Sequence, residues 1–141
     1  MDSSSDNGFN SELIGVQAIV TYLPSHSRPE DQHFTFAYTI SISNAADQPV
    51  QLLSRHWVIT DAEQQVQEVR GDGVVGEQPV IGPGETFRYT SGASIPTPVG
   101  CMEGSYFMVA LPGASGDSDA EPAMIEVPIP AFSLHLPTAV H

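Results

Sequence analysis

The chain has 141 residues, 40% of them hydrophobic and 15% charged, which is enough for one core of ordinary size and too little for two domains. Four arginines (Arg28, Arg55, Arg70, Arg88), no lysine and 17 acidic residues give a formal net charge of −13; nucleic acid and anionic membranes, which need clustered Lys and Arg, should be repelled by that field, and Schiff-base chemistry and a P-loop lysine are excluded. No apolar run approaches the roughly 18 residues that cross a bilayer, the start MDSSSDNGFNS has neither a basic nor an apolar leader region, and the single Cys101 has no partner for an intramolecular disulfide. A cytoplasmic protein is expected.

In chain order, Ile14 to Leu23 is rich in β-branched residues and stops at Pro24, which predicts a first strand followed by a polar loop, Ser25 to Asp31. From Gln32 to Asn44, Phe34, Phe36, Tyr38, Ile40 and Ile42 alternate with Thr35, Thr39, Ser41 and Ser43, a period of two that makes this the clearest strand. The turn Ala45 to Pro49 leads into a strand over Val50 to Thr60, and Asp61 to Gln65 folds the chain back into Val66 to Arg70. Beyond a glycine-rich stretch, Phe87 and Tyr89 alternate with Thr86, Arg88 and Thr90 in another strand. Ser91 to Gly100, with two prolines and two glycines, is expected to be an irregular crossing before a nearly continuous apolar strand, Tyr106 to Leu111. Pro112 to Pro122 is small and acidic, the pattern of a mobile hairpin tip. Met124 to Leu136 supplies the last strand, placed at a sheet edge or bulge because Pro128 and Pro130 have no N–H.

No segment keeps a 3.6-residue period for three turns, and Pro or Gly recurs at the spacing of a sandwich or barrel. The expected fold is all-β, an immunoglobulin-like or fibronectin type III-like β-sandwich of about seven strands with Trp57 in its core, and a small β-barrel is the runner-up. Residues 13–136 form the single domain, between a tail over 1–12 and another over 137–141.

The wording LLSRHWVITD (Leu52 to Asp61), VQEVRGDGVVGEQPVIGPGE (Val66 to Glu85), YTSG (Tyr89 to Gly92), TPVG (Thr97 to Gly100) and MEGSY (Met102 to Tyr106) resembles the ApaG family. FAYTI (Phe36 to Ile40) and VPIPAF (Val127 to Phe132) extend the resemblance over nearly everything from Gly15 to Leu136. The resemblance implies a fibronectin-type sandwich without established enzymatic activity, linked in bacteria to cobalt and magnesium tolerance and often encoded near a diadenosine tetraphosphate hydrolase. Related domains of eukaryotic F-box proteins and of a protein that interacts with DNA polymerase delta are thought to mediate protein contacts.

Gly71, Asp72, Gly73, Val74, Val75 and Gly76 match the dinucleotide fingerprint G-x-G-x-x-G. That fingerprint binds pyrophosphate only where a helix begins at its end. Here Glu77, Gln78, Pro79, Gly82, Pro83 and Gly84 follow, and such a sequence does not build a helix. The stretch is therefore expected to be a structural loop, and Gly71 to Glu77, with the crossing Ile95 to Gly100, is the candidate contact for a ligand or partner. Along Arg55-His56-Trp57, strand parity turns Arg55 and Trp57 one way, with Leu53 and Ile59, and His56 the other, beside Leu52 and Val58. A buried Arg55 needs a carboxylate or carbonyl, and Glu68 and Glu103 are the acidic candidates. For a divalent metal the groups to consider are His56, Asp72, Glu77, Glu85 and Glu103, although no two histidines show ligand spacing. Cys101 has no neighbouring histidine and no G-x-S-x-G elbow is present.

The combined reading is a non-enzymatic, cofactor-free sandwich acting through a protein partner, monomeric or weakly dimeric, with a family-level link to cobalt and magnesium homeostasis. The alternative is a small-ligand or divalent-cation sensor at the glycine-rich loop.

Overall fold

The computed structural model describes residues 11–111 and 123–137. The expected tails and the acidic stretch 113–121 fall almost wholly outside them. Eight strands make up the described fold: β1 (Ile14–Tyr22), β2 (Phe34–Asn44), β3 (Val50–Asp61), β4 (Val66–Asp72), β5 (Val80–Ile81), β6 (Thr86–Ile95), β7 (Val99–Ala110) and β8 (Ala123–His135). They form two antiparallel sheets, β1-β2-β6 and β4-β3-β7-β8, with the short β5 beside the start of β3. This is the sandwich that the alternation in β2 foretells.

Each sheet is built on that alternation. Phe34, Phe36, Tyr38, Ile40 and Ile42 of β2 face inward and are buried, while the outward Thr35–Ser94, Thr39–Thr90 and Ser43–Thr86 hydroxyls pair across β2 and β6 at 2.7–2.9 Å. Such cross-strand pairs are worth roughly 0.2–1 kcal/mol each. Between the sheets, Trp57 of β3 sits 2% exposed and meets Tyr38, Tyr106 and Phe132 edge-on at centroid distances of 5.3, 6.3 and 5.8 Å, the geometry that aromatic quadrupoles favour. The Tyr89 and Tyr106 hydroxyls hydrogen-bond to each other across the interior and tie β6 to β7. Burial drives both phenols well above the ordinary value.

Two bulges adjust the inward pattern. The β3–β7 register slips between Leu52 and Ser54, so Val50 and Leu52 face the core before the slip and Trp57 and Ile59 after it. Leu52, not Leu53, is thus the buried leucine, which corrects the simple parity count. In β8 the register slips where Met102 pairs with Phe132 and Gly104 with Ile129. Val127 and Ile129 precede this slip, and Phe132 and Leu134 follow it on the same inward face. Pro128 and Pro130 lie at this edge and bulge as expected.

The expected irregular crossing from Ser91 to Gly100 is mostly strand. β6 continues to Ile95 through pairing with β2, and β7 begins at Val99, leaving only the turn 96–98. Glycines and serines lower intrinsic strand preference, but ladder bonds to a long neighbour outweigh that difference of about 1 kcal/mol. Thr97 closes the turn by donating to the Val99 carbonyl and accepting from the Ala62 N–H.

Candidate functional site

Residues 71–77 form a miniature hairpin. The Val74 N–H donates to the Glu77 carbonyl and the Glu77 N–H to that of Val74, at 2.8 and 2.9 Å, while the Gly73 N–H donates to the Leu53 carbonyl at 2.8 Å. Val75 and Gly76, at the tip, have φ of 41° and 82°, the left-handed pair of a type I′ turn. Gly73 has φ 62°, and a Cβ there would lie 2.1 Å from the Glu77 carbonyl oxygen, so only glycine fits. The chain then runs through Gln78 and Pro79 into β5, and no helix follows. Val74 is fully buried, which removes it from the expected contact residues; Asp72, Val75, Gly76 and Glu77 are exposed.

The carboxylates and histidine considered for a metal are not brought together. His56 Nε2 lies 3.2 Å from Glu68, which also pairs with Arg70; Glu85 accepts from the Gly82 N–H and closes a turn; Glu103 lies opposite Val58 on β7; Asp72 and Glu77 flank the hairpin. Among the described residues no group of three His, Cys, Asp or Glu side chains is placed to hold a metal ion. Of the second candidate contact, Ile95 and Thr97 are buried and Pro96, Pro98 and Val99 exposed.

The feature that sequence reasoning did not find is a cavity of about 450 Å³ between the edges of β4 and β6. Gln67 and Val69 of β4, Arg55, Trp57 and Ile59 of β3, Met102 of β7, Tyr38 of β2, and Ser91 to Ser94 of β6 line it. Register explains the placement, because Val69 pairs with Trp57 and Gln67 with Ile59, so these side chains share an inward face. Arg55 stands opposite Gly71, whose missing side chain makes room for it; a Cβ there would lie 2.9 Å from both terminal guanidinium nitrogens. Arg55 Nη1 donates to the carbonyls of Asp72 and Gly73 at 3.0 and 2.7 Å. Carbonyls, not Glu68 or Glu103, are its partners. The Tyr38 phenol is pushed up by burial, against the opposing pull of a Ser91 hydrogen bond and the Arg55 charge. Inward parity at Arg55 was the one sequence signal pointing here.

Comparison with known proteins gives consistent results. The family model described as the ApaG domain matches residues 24–110. Protein ApaG of Ralstonia nicotianae is 52% identical over 128 residues, covering 91% of this chain and 96% of its own, and Protein ApaG of Bordetella pertussis is 49% identical over the same length, covering 91% of each. A crystal structure from Bordetella pertussis described under the name ApaA superposes with a TM-score of 0.80 at 46% identity, covering 89% of this chain and 95% of that one. A second solved structure gives 0.81 at 39% identity, covering 93% and 92%.

Proposed function

This chain belongs to the ApaG family, and from that premise we propose that it is a non-enzymatic module that docks a protein partner along the β4–hairpin–β5 edge. The observation that carries this reading is where the exposed apolar residues lie. Val66 of β4, Val75 at the hairpin tip and Val80 of β5 are 57%, 54% and 52% exposed, and together they line one margin of the five-stranded sheet. Among the described residues β4 pairs only with β3, so its outer backbone groups are open to an added strand. The partner's segment is extended and basic, given a net charge of −13 on this chain.

The lone cysteine accords with a reducing compartment such as the cytoplasm. No helix of the described residues is long and apolar enough to cross a membrane. Three amides of the glycine hairpin are already engaged within the fold, which favours docking over anion capture at that loop. Any link to cobalt and magnesium tolerance then runs through the partner.

Crosslinking in the native host tests this with matched surface variants. Val75→Asp combined with Val80→Asp should abolish the partner crosslinks, while Ile19→Asp, at a 68% exposed site on the other sheet, should leave them. Equal recovery from both variants removes the edge from the proposal.

A further inference from the structure

The cavity behind β4 holds hydrogen-bond donors without matching acceptors. Arg55 is one of four arginines in a chain without lysine, yet no ion pair among the described residues includes it, and its Nε and Nη2 have no hydrogen-bond partner there. Trp57 lines the same cavity, and its indole N–H is buried with no hydrogen-bond partner among the described residues. The free Nε and Nη2 donors of a cavity-lining guanidinium mark a place where an acceptor fits. The Tyr38 and Ser91 hydroxyls, with the polar side chains of Gln67 and Ser94, share the lining with the apolar Ile59, Val69, Ala93 and Met102.

We infer that this cavity binds a small monocarboxylate with an apolar or aromatic body, the carboxylate on Arg55 and the body against Trp57, Ile59, Val69 and Met102. A guanidinium fork matches a planar carboxylate in two parallel hydrogen bonds. The volume of about 450 Å³ is of the size that encloses such a molecule. A net charge of −13 disfavours polyanions, and the apolar side of the lining, Trp57, Ile59, Val69 and Met102, offers contact that an inorganic ion would not use. Arg55 stays in place because Gly71 leaves it room and the Asp72 and Gly73 carbonyls hold one end of the fork. Docking at the sheet margin does not require this site, and each fails or survives separately.

Trp57 is the sole tryptophan, so its emission reports directly on the cavity. The full chain is titrated with 3-phenylpropionate, 4-methylpentanoate, 3-phenylpropionamide and phenyl phosphate, with calorimetry in parallel. The inference requires a saturable emission change with a carboxylate Kd of about 1 mM or tighter, at least about tenfold weaker binding of the amide, and a similar loss in Arg55→Gln. Ala93→Phe, which fills the cavity, should abolish binding while cooperative unfolding persists, and it carries the test if Arg55→Gln does not fold. The inference is overturned if neither carboxylate binds with a Kd of about 1 mM or tighter, if the amide binds within tenfold of the carboxylate, if phenyl phosphate binds more tightly than either carboxylate, or if a folded Arg55→Gln or Ala93→Phe binds like the parent.

Discussion

The glycine hairpin 71–77 and the cavity around Arg55 lie side by side on the β3–β4 ribbon, and they invert what their sequences advertise. The hairpin carries a phosphate-loop motif, yet its Gly73, Val74 and Glu77 amides bond within the fold and Val74 is buried. The cavity carries no motif, yet among the described residues its guanidinium has no carboxylate partner and keeps Nε and Nη2 free. An anion site is defined by donors that the fold leaves unmet, not by the glycines that permit a tight turn.

The contrast can be broken most forcefully at the hairpin. Gly73→Ala places a Cβ against the Glu77 carbonyl at a φ of 62° and should cost about 3–4 kcal/mol in urea unfolding, more than an ordinary surface change. Gly76→Asn, at open space and a φ of 82°, should shift the same curve by less than about 0.5 kcal/mol. If the two variants unfold alike, the hairpin is not the rigid closed turn described.

Alkaline pH probes the interior behind the cavity. The folded phenols of Tyr38, Tyr89 and Tyr106 lie above the ordinary tyrosine value of 10.0 because burial disfavours the phenolate, so the fold favours their protonated forms. Their stabilising contribution is complete below pH 10.0 and is lost as pH rises above it. The slope should reach roughly 1.4 kcal/mol per pH unit for each phenol ionised on unfolding. Stability that stays flat from pH 9 to 12, tracked by urea midpoints, contradicts this burial. Tyr106→Phe leaves the Tyr89 hydroxyl without its partner across the interior and should cost about 1–2 kcal/mol.

The smaller effects sharpen the comparison. Val75 is a β-branched residue at φ 41° and 54% exposed, so Val75→Asn should stabilise the chain by about 1 kcal/mol through relief of left-handed strain. A loss of stability would show that the Val75 side chain packs on something. Gly71→Ala should unfold almost as the parent does, since the atoms in its way are the flexible end of Arg55, but should weaken carboxylate binding severalfold by displacing the guanidinium. Unchanged affinity would detach Arg55 from the cavity.

Most of the fold was legible because burial in a half-covered sheet imposes a period of two, and Phe34 to Ile42 shows it without interruption. The missing helix after Gly76 was equally legible from Pro79, Pro83 and Gly84. The strand character of Ser91 to Ile95 was hidden, since it comes from pairing with β2 rather than from its own residues. The slip at Leu53 was hidden too, and with it the identity of the core leucine, because a bulge leaves no mark in hydrophobic pattern. Parity after that slip still placed Arg55 and Trp57 on the inward face. What could not be read was that Tyr38 and Ser91, 53 positions apart in sequence, would line one cavity with Arg55 across two sheets, or that no carboxylate among the described residues would pair with it.

The most direct test is a two-dimensional 15N–1H NMR titration of the full chain with 3-phenylpropionate and, separately, with pyrophosphate. The account predicts that the carboxylate moves the single indole resonance, that of Trp57, together with the Ser91 and Gly92 amides, and that pyrophosphate leaves the Val75, Gly76 and Glu77 amides where they are. Saturable shifts of those three amides with pyrophosphate, beside an indole signal indifferent to the carboxylate, would contradict it.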